Sequence, residues 1–65
     1  MNRFENIGKR VQFYNEVNNE IVEGKIIEQL NAKKVCVLID KKCQRMFKKH
    51  LVNRVIIDLE KLEII

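Results

Sequence analysis

The chain contains no serine, threonine, proline or tryptophan, and it has only two glycines, two cysteines, one tyrosine and one histidine. Without Ser or Thr there is no hydroxyl nucleophile of the kind that a neighbouring base activates in acyl transfer. With one Tyr and no Trp, the clustered aromatics that line polyproline-binding grooves are missing. Cys36 and Cys43 do not have the paired spacing of a zinc site, and a single potential disulfide is too little to define a secreted scaffold, so both are read as reduced thiols. Cys43 and His50 are near enough in sequence to approach one ligand, but no third or fourth ligand is evident. A Cys43 thiolate beside Lys42 or Arg45 would lack an orienting third group. The sequence therefore predicts no catalytic residue, no metal and no cofactor.

No run of about 18 apolar residues is present, and residues 1–5 lack the apolar stretch of a signal peptide. The expectation is a cytoplasmic protein with no membrane association. A chain of 65 residues buries only about 60% of the surface its unfolded form exposes and has no core to divide, so residues 1–65 are expected to form one domain. The apolar content is 46%, mostly Ile, Val and Leu, which is ordinary for a globular protein despite 34% charged residues.

The pattern along the chain is mainly β. Gly8 can take positive φ and turn a lead-in segment into a first strand, where Val11 and Phe13 alternate inward and Gln12 and Tyr14 outward. The polar stretch 15–20 reads as a hairpin loop, since asparagine tolerates left-handed geometry. A second strand runs from about Ile21 to Leu30, with Gly24 read as a bend or bulge. Asn31 to Lys34 suits a second hairpin turn, and Val35 to Ile39, apolar on both sides, reads as the central and most buried strand.

The period then changes. Cys43, Met46, Phe47, His50 and Leu51 fall at i, i+3, i+4, i+7 and i+8, which predicts a short helix over about 41–51 with Asp40 as N-cap. Arg54 to Ile57 reads as a fourth strand. Leu59 and Leu62 suit one helical turn before a closing apolar pair, Ile64 and Ile65. The expectation is a five-stranded small barrel with a helical insert between strands three and four.

These elements, with the Asp58-Leu59-Glu60-Lys61-Leu62-Glu63 turn before the last strand, resemble an SH3-like barrel. Ile7 to Phe13, Glu23 to Ile27 and the strand-insert-strand of 35–57 are similar to short bacterial and prophage proteins with KOW-like barrels. That resemblance implies binding of RNA or protein. Gly24 in the bent second strand and the run from Met46 to Leu51 also resemble the Hfq and Sm-like RNA chaperones. There Lys49 and His50 match the last two positions of a Tyr-Lys-His uridine-binding motif, and Lys48 stands where the tyrosine would be.

The densest charge feature is residues 41–54, which contain Lys41, Lys42, Arg45, Lys48, Lys49 and Arg54 and no carboxylate. On the expected helix the first five would share the face opposite Cys43, Met46 and Phe47. Such a surface displaces counterions from a phosphate backbone without needing base contacts. The bland alternative is a solvated face that happens to be basic. Tyr14 is the one outward aromatic able to stack on a base, whereas Phe13 and Phe47 fit apolar faces. With a net charge of +4, two readings stand. One is a non-catalytic nucleic-acid-binding module taking RNA or DNA through Lys41, Lys42, Arg45, Lys48, Lys49, Arg54 and Tyr14. The other is a protein-interaction module or inhibitor encoded by a phage or other mobile element, meeting an acidic protein surface or adding a strand to an open edge. The two-sided apolar strand and an open edge also admit a homodimer.

Overall fold

In a computed structural model, residues 6–16, 19–47 and 49–65 are described, with the side chains of 45–47 and 50 left aside. The described residues form seven strands: β1 (Arg10–Asn15), β2 (Glu20–Gln29), β3 (Lys34–Ile39), β4 (Arg45–Phe47), β5 (His50–Val52), β6 (Arg54–Asp58) and β7 (Glu63–Ile64). Single 3₁₀ turns occupy Lys41–Cys43 and Leu59–Lys61. Five strands form one antiparallel sheet in the order β6-β3-β2-β1-β7, and among the described residues β4 and β5 pair only with each other. No ladder joins β6 to β7, so the sheet is open rather than closed. Among the described residues no helix is long and apolar enough to cross a membrane.

The alternation in β1 holds: Val11 and Phe13 are buried and Tyr14 is exposed. They join Val22, Ile26, Val35, Val37 and Ile39 in one core on a single face of the sheet. Cys43, Val55, Ile57, Leu59 and Leu62 pack against its margins. β3 is the most buried strand, as its composition predicts, although the central place in the sheet belongs to β2.

Two turns follow from local chemistry. Gly8 sits at φ 92° with nothing near its missing Cβ, so it serves backbone conformation alone. Its N–H donates to Ile26 O at 2.8 Å, tying the lead-in to β2. Between β2 and β3 the Asn31 Oδ1 accepts from the N–H groups of Lys33 and Lys34 at 2.8 and 3.0 Å, an Asx turn that sets the hairpin.

Three expectations are corrected. The described residues of 41–51 form no α-helix: after the first 3₁₀ turn the chain extends at Gln44 and makes the β4–β5 hairpin, with Lys49 at φ 70°. Asp40 caps nothing with its side chain; it accepts both guanidinium N–H groups of Arg10 at 2.6 Å. The β2 bulge lies between Ile26 and Glu28, leaving Ile27 as the extra residue, and Gly24 has another role. A Cβ at Gly24 would lie 2.5 Å from the Leu38 carbonyl oxygen and 2.7 Å from Val37 Cγ1, so glycine is needed there for close strand approach.

Candidate nucleic-acid interface

The basic segment is dispersed by the loss of its helix. Lys41 and Lys42 project from the first 3₁₀ turn, both exposed, and Lys49 is exposed at the hairpin turn. Arg45 lies in β4 with its side chain outside the described set, and Lys48 lies outside the described residues. Arg54 opens β6 and is exposed. These residues share no helical face, and Lys49 stands at the far end of a hairpin from Lys41 and Lys42.

The sheet provides a different arrangement. Arg10 pairs in register with Lys25, Lys25 with Leu38, and Leu38 with Arg54. These four residues form a row across β1, β2, β3 and β6, all exposed on the face opposite the core. With strands about 4.8 Å apart, Lys25 and Arg54 are separated by about 10 Å with an apolar Leu38 between them. Tyr14 lies on the same face as Arg10, further along β1. It is 53% exposed, and its hydroxyl donates to Asn19 Oδ1 at 2.7 Å. Its cross-strand neighbour Ile21 is also exposed, giving a small apolar shelf beside the phenol ring.

Two of the cations are already satisfied. The Arg10–Asp40 pair is bidentate, which holds the Asp40 carboxyl below its ordinary range through the guanidinium hydrogen bonds and raises the Arg10 guanidinium. Lys42 Nζ lies 2.7 Å from Glu23 Oε2, and that hydrogen bond raises the ammonium above its usual value. Lys25, Lys41, Lys49 and Arg54 have no ion pair among the described residues. On the outer face of the sheet the cations without an ion pair among the described residues are therefore Lys25 and Arg54, with Lys41 on the turn beyond β3 and Lys49 at the hairpin turn.

Arg10 and Lys25 carry no local signal in the sequence. They join the site only through ladder register, across 15 residues to each other and 30 to Asp40. Cys36 is buried and Cys43 half-buried, and both are free thiols.

The Arg10–Asp40 pair has a testable pH signature. A carboxyl whose folded pKa is depressed contributes stability that is present above its unfolded pKa and is lost as pH falls through the folded one. Thermal melting of the wild type and Asp40→Asn should differ at neutral pH. The gap should close as pH drops below the ordinary carboxylate range, where both side chains are neutral. A gap unchanged down to pH about 2 would deny the ion pair any role in acid sensitivity.

No protein-family model, curated protein or solved structure matches the chain.

Proposed function

We propose that this protein is a small non-catalytic nucleic-acid-binding module of the cytoplasm, acting through the exposed outer face of its sheet. The cross-strand row of Arg10, Lys25, Leu38 and Arg54 is the observation that carries this reading. It has two cations without an ion pair among the described residues on one face of the sheet, with Lys41 on the turn beyond β3 and Tyr14 on the same face as a stacking aromatic. Phosphates would take the cations and one unstacked base the tyrosine ring, which favours a single strand over a duplex. The 3₁₀ turn before β7 and the pairing of β7 back onto β1 support an SH3-like, KOW-like small barrel as the scaffold.

Fluorescence anisotropy against single-stranded RNA, single-stranded DNA and duplex DNA, over about 50 to 200 mM salt, tests this. Single strands should bind in a salt-dependent way. Lys25→Glu with Arg54→Glu should lower the affinity and reduce the log–log salt slope by about one for each phosphate contact removed. Tyr14→Leu should weaken binding with the slope unchanged. Absence of binding at the lowest salt would sink the proposal. A protein partner is the second reading, and the unpaired edge of β6 is the feature that favours it.

A further inference from the structure

β6 bonds to β3 along one edge only. Ile39 N–H donates to Asn53 O at 2.8 Å, and Leu59 N–H donates to Lys33 O at 2.7 Å. In an antiparallel ladder the residues that exchange hydrogen bonds alternate, so between these two points Val55 and Ile57 bond to β3. Arg54, Ile56 and Asp58 therefore turn their backbone groups to the open side, except that the Asp58 C=O begins the second 3₁₀ turn. A groove of about 540 Å³ lies between Val55–Ile57 of this edge and Phe13–Glu16 with Lys61, and no described strand pairs there. Ile56 is 60% exposed, among the most exposed large apolar side chains.

We infer that this edge pairs with the same edge of a second copy, antiparallel, about a two-fold axis through Ile56. That register follows from the residues. Ile56 of each chain exchanges both its backbone hydrogen bonds with Ile56 of the other, and the two side chains meet on the outer face. Arg54 then stands directly opposite Asp58 of the second copy, and Asp58 opposite its Arg54. The Asp58 N–H of each chain reaches the Arg54 C=O of the other. The carboxylate of Asp58 lies 4.0 Å from Lys34 Nζ within its own chain, so the dimer sets it between two cations. Shifting the register by two residues one way would put Arg54 against Ile56 and Asp58 against Val52; the other way would put Asp58 against Ile56 and Arg54 against Glu60, which lies in the 3₁₀ turn where the strand has ended.

The assembly closes at two copies and joins the two sheets edge to edge. It rests on the edge geometry and not on nucleic-acid binding, although Arg54 belongs to both surfaces. Lys25→Glu, which lies on β2 away from the edge, separates them: it should alter binding and leave the dimer intact.

Sedimentation velocity from about 10 µM to 1 mM, where mass action shows a weak dimer, is the test. The wild type should pass from monomer to dimer. Arg54→Asp places two pairs of like charges across the axis and should weaken the dimer roughly tenfold or more. Asp58→Arg should do the same. The double variant, Arg54→Asp with Asp58→Arg, restores both opposite-charge pairs and should recover the dimer, with circular dichroism reporting that each variant remains folded. A wild type that stays monomeric throughout, an assembly larger than two, a single reversal without effect, or a folded double variant that stays monomeric would each overturn the inference.

Discussion

Gly24→Val will leave the chain largely unfolded at 25 °C, and Gly24→Ala will already cost about 3 kcal/mol, the upper end of what overpacking a core usually costs. The reason lies in what the added atom meets. The nearest contact, at 2.5 Å, is the Leu38 carbonyl oxygen, a backbone atom fixed in the β2–β3 ladder, and the next is Val37 Cγ1 of a side chain with no exposure. Neither can swing aside as the tip of a long side chain would, so relief requires β3 to move away from β2. A domain of this size has roughly 3–10 kcal/mol of total stability, at about 0.05–0.15 kcal/mol per residue. Urea unfolding followed by circular dichroism measures the loss. An alanine variant within about 1 kcal/mol of wild type would mean that the strands approach less closely than described. Gly8→Ala is the control, because its Cβ meets nothing and only the left-handed φ is strained, at a cost of about 1–2 kcal/mol.

Ile26→Ala should destabilise by about 2–5 kcal/mol, and Ile26→Val by about 0.5–1.5 kcal/mol. Ile26 is fully buried, opposite Val37 on β3, and its backbone bonds both Gly8 and Lys9. Truncation therefore opens a void at a point where β1, β2 and β3 meet and no loop can collapse into it. The same truncation at Ile21, which is 56% exposed, should change stability by no more than about 0.5 kcal/mol. If the two substitutions cost the same, the core has been assigned to the wrong face of β2.

The strands were legible where their signals are local. Alternation in β1, the Asn31 turn, the apolar run of β3 and the single turn at Leu59 each depend on residues within a few positions of one another. The segment 41–51 misled because its period is ambiguous over so short a span. Phe47 and His50 are three apart, which makes them neighbours on a helix, yet they are also the facing pair that closes the β4–β5 hairpin. Gln44 decides for the hairpin. Its side-chain amide donates to Ile39 O at 2.9 Å and its backbone is extended, so the first turn cannot propagate into a helix. Asp40 looks like an N-cap from sequence because its partner is Arg10, 30 residues away, and no local pattern announces that pair.

Of the residues in the proposed interface, Arg54, Lys41 and Tyr14 carry a local signal, in charge density and outward alternation. Lys25 does not, because a lone lysine on a strand becomes part of a basic row only once the registers of three ladders are fixed. The bulge between Ile26 and Glu28 shifts the β2–β3 register without any glycine or proline to mark it.

The bond from Ile39 N–H to Asn53 O closes the base of the β4–β5 excursion, so β3 and β6 are joined whatever lies between them. The entropy of closing such a loop grows only slowly with its length, and this hairpin pairs with no strand of the main sheet. The five-stranded sheet is held by its own ladders, so a change in the length of the arm from β4 to β5 should cost that sheet little.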